Sequence, residues 1–152
     1  MSLDFEKYAA KGNEMLNMLA EDLKIPRGKA GRILRAVLYA IRSRISVDES
    51  FQLIAQLPMA LKSVYVDQWD PWQSLHRIHH IEDFLKEIRK YDKSSAGPDF
   101  GNDESAKLVI KAVFRTLNVY VSEGEFRDIV AVLPGELKEF VSASIGTSRV
   151  PL

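Results

Sequence analysis

The sequence predicts an all-α, single-domain helical bundle of two tandem copies of a three- to four-helix unit, a pseudo-twofold repeat with a spacing of 76 residues. Three observations predict it. Residues 30–65, moved forward by 76 positions, land on 106–141 without a gap, with identities that include Ala36/Ala112, Val37/Val113, Ser46/Ser122, Glu49/Glu125, Ala55/Ala131, Leu57/Leu133, Pro58/Pro134, Leu61/Leu137 and Lys62/Lys138. Apolar residues recur at helical spacing, without the period of two that a strand needs. The same helix-start and helix-stop signals occur once in each copy.

The first helix carries the stripe Phe5, Tyr8, Ala9, Met15, Leu16, Leu19 and Leu23. A second follows on Ile33, Leu34, Val37, Leu38, Ile41 and Ile45, at the i, i+3, i+4, i+7 spacing of one apolar face. Its counterpart holds Val109, Ile110, Val113, Phe114, Leu117 and Val121. Ser46-Val47-Asp48-Glu49 and Ser122-Glu123-Gly124-Glu125 have the spacing of a capping box, in which serine accepts from the third helical N–H and glutamate reaches back to the serine N–H. A new helix therefore starts at each site, with apolar positions Phe51, Ile54 and Leu57 in one copy and Phe126, Ile129, Val130 and Leu133 in the other. The aromatic shifts by one residue between copies (Ser50/Phe126, Phe51/Arg127), so the packing there should differ.

Leu57-Pro58 and Leu133-Pro134 end those helices, because proline disfavours the α conformation in the residue before it and fits at the first position of the next helix. Short helices carrying Leu61 and Val64, or Leu137 and Phe140, should follow. Ile81, Phe84, Leu85 and Ile88 mark the helix that opens the second copy. Asp92–Asn102, polar and holding Gly and Pro, reads as a loop. The expected organisation is one domain over 1–152: copy one about 3–66, a connecting segment 67–80, copy two about 81–143 and a frayed tail 144–152. Neither copy can bury its stripes alone, so the two should pack together.

Ala30-Gly31-Arg32-Ile33-Leu34-Arg35-Ala36-Val37-Leu38, Leu53-Ile54-Ala55-Gln56-Leu57-Pro58, Val64-Tyr65-Val66-Asp67 with Trp69, the Ile81–Ile88 helix and Val121-Ser122-Glu123-Gly124-Glu125 resemble a bacterial family known only as domain of unknown function 2267. The resemblance covers nearly the whole chain. It implies an all-helical, two-copy bacterial protein, and it brings no activity, substrate or catalytic residue with it.

Composition narrows the function classes. The 152 residues are 46% hydrophobic and 28% charged, the range of an ordinary globular chain. A chain of this length can bury about 68–70% of its unfolded surface. Lys plus Arg and Asp plus Glu number 21 each, so no net field draws the molecule to nucleic acid or an anionic membrane, and such a partner would need a local patch. The absence of cysteine excludes disulfides, thiolate catalysis and Cys-ligated metal sites. The start, Met-Ser-Leu-Asp-Phe-Glu-Lys-Tyr, has no basic region followed by an apolar core, and no apolar run approaches the roughly 18 residues of a membrane span. A cytoplasmic protein with no membrane partner is expected.

Three groups of residues carry chemistry. From Leu23 to Val47 there are seven cations and no acid, and Lys29, Arg32, Arg35 and Arg42 fall opposite the apolar stripe, where guanidinium groups could hold phosphates. The plain alternative is a solvated face paired with Asp48, Glu49, Glu82 or Asp83. The segment from Val66 to His80 holds both tryptophans, Trp69 and Trp72, either as anchors for a partner or as plugs for the seam between copies. If the Ile81 helix begins early, His76, His80 and Asp83 share a face and could bind zinc, although the His-Glu-x-x-His pattern is absent and surface histidines explain the segment as well.

No phosphate loop, dinucleotide-binding or nucleophile-elbow pattern occurs. The sequence therefore calls for no catalytic residue and no cofactor. Its leading reading is a non-enzymatic helical interaction module whose partner is another protein or a second copy. The alternative is a binder of anionic ligand or nucleic acid through the cationic face of residues 24–44. The third is a metal-dependent enzyme using the His76–Asp83 segment.

Overall fold

The computed structural model describes residues 3–73 and 79–145, and among them it has helices and no strand. In chain order these are α1 (Phe5–Leu23), α2 (Arg27–Arg42), α3 (Val47–Gln56), α4 (Met59–Val66), α5 (Ile81–Asp92), a 3-10 turn (Lys93–Ser95), α6 (Ala96–Phe100), α7 (Asp103–Tyr120), α8 (Glu123–Ala131) and α9 (Gly135–Ile145). The first four helices start at residues 5, 27, 47 and 59. α5, α7, α8 and α9 start at 81, 103, 123 and 135, each 76 residues later.

The helix boundaries follow local chemistry. The Glu49 N–H donates to Ser46 Oγ at 3.1 Å while the Ser46 N–H donates to Glu49 Oε1 at 2.9 Å. The same reciprocal pair at Ser122 and Glu125 spans 3.0 and 2.7 Å. Each such cap satisfies donors the helix leaves open and contributes about 1 kcal/mol. Leu57 is extended, with ψ 147°, and Pro58 is the N-cap of α4, its carbonyl accepting from the Leu61 and Lys62 N–H groups. The helix thus begins one residue after the proline.

α1 packs on α2 and α4 of its own half and also on α7, while α5 packs on α7 and α9 and also on α2. The first helix of each half therefore lies on the second helix of the other, and α3 meets α8. The buried apolar side chains form one cluster with members from both halves, among them Val37, Tyr65, Phe84, Ile110, Phe126 and Val141. Burying each such side chain contributes about 1.5–3 kcal/mol.

Three expectations are corrected. Asp92–Asn102 is not a plain loop: it holds the 3-10 turn and α6, with Asp99 and Phe100 buried. Pro98 is tolerated because it sits in the first turn of α6, where a helix needs no N–H donor. Phe5, placed on the α1 stripe, is 70% exposed, and of that stripe only Met15 and Leu19 are fully buried. Phe51, placed on the α3 stripe, is 58% exposed.

Candidate functional site

α2 has a second face beside its apolar stripe. Arg32, Arg35, Ala36, Tyr39, Arg42 and Ser43 recur at three- and four-residue steps, so they share one side of the helix. That side forms one wall of a cleft of about 760 Å³. The other walls are the end of α5 with the turn after it (Lys90, Tyr91, Asp92 and Lys93) and residues 67–71 with Gln73.

Two of the predicted anion-binding arginines are committed to the fold. Arg42 Nη1 donates to the Tyr65 and Asp67 carbonyls, each at 2.6 Å, and Nη2 to the Gln68 carbonyl at 3.3 Å. It thereby caps the open carbonyls at the end of α4. Its guanidinium also lies 3.8 Å from the Tyr39 ring centroid, a cation–π contact. Burial lowers its pKa, against opposing contributions from the nearby tyrosines and Asp67. Arg32 donates from Nε and Nη2 to the two oxygens of Asp99, both at 3.0 Å. Asp99 is buried and belongs to α6, so this bidentate pair fastens α6 to α2.

Arg35 and Lys93 differ. Both line the cleft, and neither side chain has an ion pair or hydrogen bond among the described residues. Lys90, also in the lining, is 3.9 Å from Glu87. Lys29, the remaining predicted residue, is half-buried at the start of α2, and its charge helps to hold Asp99 ionised.

A carboxyl pair completes the wall. Asp92 is buried, and its Oδ2 has no hydrogen-bond partner among the described residues. Its pKa is raised to about 7, first by burial and then by the hydrogen bond and charge of Asp99, with Arg32 opposing. Asp99 moves the other way: burial pushes it up, but the Arg32 hydrogen bond and the Asp92 contact outweigh that and lower its pKa. As pH falls through about 7 the pair therefore takes up a proton at Asp92, while Asp99 stays ionised.

Backbone strain concentrates in the same place. The non-glycine residues with positive φ among those described are Lys24, Gln68 and Lys93, and the last two line the cleft. At Lys93, φ 56° and ψ −129° is a conformation that side chains with a Cβ rarely adopt.

The tryptophans part company. Trp69 is half-buried and meets Phe51 and Tyr65 edge-on, with ring centroids at 5.9 and 6.0 Å. It lines the cleft, whereas Trp72 is 90% exposed and lies outside it. Of the metal candidates, His76 falls outside the described residues. His80 is the extended N-cap of α5, which begins at Ile81, and its Nδ1 lies 3.3 Å from Glu136 Oε1. Asp83 is exposed on the first turn. Among the described residues no group of three or more His, Cys, Asp or Glu could hold a metal ion.

The residues that sequence reasoning missed are Tyr39, Tyr91, Lys90, Lys93, Asp92 and Asp99. Tyr39 was within reach, because it stands four residues after Arg35 on the same helix face. The carboxyl pair gave no signal, because a break at Lys93 separates its members.

A family model described as "Uncharacterized conserved protein (DUF2267)" matches residues 12–140. The chain belongs to this family. No curated protein matches it. Among the described residues no helix is long and apolar enough to cross a membrane.

Proposed function

We propose that this family member is a binding protein for small anionic ligands, taken into the cleft between α2, the end of α5 and residues 67–73. The observation that carries the reading is a pair of cations without an ion pair or hydrogen bond among the described residues, Arg35 and Lys93, brought to one cleft by separate elements. The lining holds five cations (Arg32, Arg35, Arg42, Lys90 and Lys93) and three carboxyls (Asp67, Asp70 and Asp92), so its local balance is positive although the chain is neutral. Strained backbone at Gln68 and Lys93 supports a site, since strain collects where function needs a fixed geometry. Titration with inorganic sulfate at low ionic strength tests it. Arg35→Ala and Lys93→Ala should each weaken binding by about tenfold with unchanged thermal stability, and added chloride should weaken the wild type. Wild-type affinity that neither substitution nor salt changes would remove the reading.

A second reading rests on Trp72. An indole that is 90% exposed is an anchor for a protein partner or a second copy, which makes the chain an interaction module. Trp72→Ala should then abolish capture of that partner while leaving sulfate binding intact.

The finer architecture belongs to the same proposal. We read the halves as tandem copies of one unit forming a single domain. Equal 76-residue offsets of four helix starts support this, as does the packing of each half's first helix on the other half's second. A bacterial, cytoplasmic setting is consistent with that reading.

A further inference from the structure

We infer that the cleft takes up its anion together with one proton, which the Asp92–Asp99 carboxyl pair holds in the cleft wall. This rests on the anion reading of the cleft above.

The argument is geometric. Asp92 lines the cleft, is 9% exposed and has one carboxyl oxygen, Oδ2, buried without a hydrogen-bond partner among the described residues. An ionised carboxylate there would be costly to bury and would repel any anion drawn in by Arg35 and Lys93. A protonated one removes that charge. Asp99 cannot serve as the proton's resting place, because both its oxygens accept from Arg32 at 3.0 Å.

The surroundings leave few other candidates. From α6 the group facing Asp92 is Asp99, and from α2 it is Arg32, with Lys29 acting on Asp99. On its own helix, Arg89 is held by Asp103 of α7 at 2.9 Å and by the Gly101 carbonyl at 3.2 Å. α9 brings Glu136 to the opposite end of α5, where it accepts from the Ile81 N–H. Among the described residues that line the cleft, Asp92, raised to about 7, is thus the group that changes charge near neutrality.

Binding and protonation are then linked and reciprocal: the anion raises proton affinity, and the proton raises anion affinity by the same factor. No covalent bond of the ligand is made or broken, and the proton comes from solvent.

Inorganic sulfate is the probe, because its charge is constant between pH 5.5 and 8.5. Calorimetric titration at fixed ionic strength, in buffers with different heats of ionisation, gives both affinity and the protons taken up. Wild-type affinity should fall about tenfold between pH 6 and pH 8, with net proton uptake above pH 7. Asp92→Asn should bind at both pH values as tightly as the wild type does at pH 6, without uptake. Should Asp92→Asn fail to fold, Asp99→Asn gives the answer, because removing the neighbouring charge should move the pH dependence to lower pH. Sulfate binding with no proton uptake, or with the pH dependence kept in Asp92→Asn, would overturn the inference and leave the anion reading standing. Failure of the wild type to bind sulfate at any pH would remove both.

Discussion

Where residues 5–66 place Ser50, residues 81–145 place Phe126, and both positions are buried. Ser50 Oγ lies 2.7 Å from the hydroxyl of Tyr65, which is itself fully buried, whereas 76 residues after Tyr65 the chain has Val141. One half fills this volume with a large phenol and a small hydroxyl, the other with a phenyl ring and a small aliphatic group. The cationic faces diverge more. Arg32, Arg35, Tyr39 and Arg42 become Leu108, Lys111, Arg115 and Asn118 at the same offset. The unbroken α1 also corresponds to α5, a 3-10 turn and α6, and that break brings Asp92 and Asp99 together. The comparison teaches that most of the charged groups around the cleft come from positions where the two stretches differ.

The largest effect should come from the packing difference itself. Phe126→Ala removes a ring that is 1% exposed and should cost about 4 kcal/mol in denaturant unfolding. Phe51→Ala, at the shifted aromatic of the other half, removes a mostly exposed ring and should cost less than about 1 kcal/mol. Equal costs would mean that the two halves bury their aromatics alike, and the comparison would fail at its most visible point.

The broken helix should show itself in the pH dependence of stability. Asp92 has a folded pKa raised to about 7 from the ordinary value of 3.8, so between those limits the folded state binds more protons than the unfolded chain. Stability therefore falls as pH rises through that window. Asp99, with its pKa lowered, contributes the opposite sign: its stabilisation is lost only as pH falls through its depressed folded pKa. Asp92→Asn should accordingly be more stable than the wild type at pH 8, by roughly 2 kcal/mol, with the gain shrinking towards pH 5. Chemical denaturation at the two pH values reads this directly. A constant difference would show that Asp92 does not titrate there.

Much of the frame was legible because its causes are local. Ser46 and Glu49, or Ser122 and Glu125, are three residues apart, and Leu57-Pro58 acts on its own backbone, so sequence spacing is enough to place them. The site was less legible because its causes are long-range. Arg32 meets Asp99 across 67 residues, and Arg42 meets carbonyls 23 to 26 residues on. A helical wheel can put all four cations on one side, yet it cannot tell Arg42, spent on capping α4, from Arg35, which has no ion pair or hydrogen bond among the described residues. Asp92 and Asp99 were hidden by the strained turn at Lys93, where polar composition suggested a loop. Phe5 and Phe51 failed for a simpler reason: periodicity gives the face of a helix but not how far the neighbouring helix extends along it.

The smallest expected effect concerns how the halves are fastened. Arg32 joins α2 to α6 through the buried Asp99, and Arg115 joins α7 to α1 through Asp22, with Nε and Nη2 at 3.1 and 2.7 Å from Oδ2. Both bonds in the second case fall on one oxygen of a partly exposed carboxylate, so water can replace them when the arginine is removed. Arg115→Ala should therefore cost only about 0.5 kcal/mol, and less at high salt. Arg32→Ala should cost more, because Asp99 would lose both its bonds in a place water reaches poorly, and the loss should persist in salt. Thermal unfolding of the two variants at low and high chloride separates the cases. Equal, salt-sensitive losses would show that the Arg32 pair is an ordinary surface contact, and the carboxyl pair behind it would then lack the fixed partner that keeps its proton on Asp92.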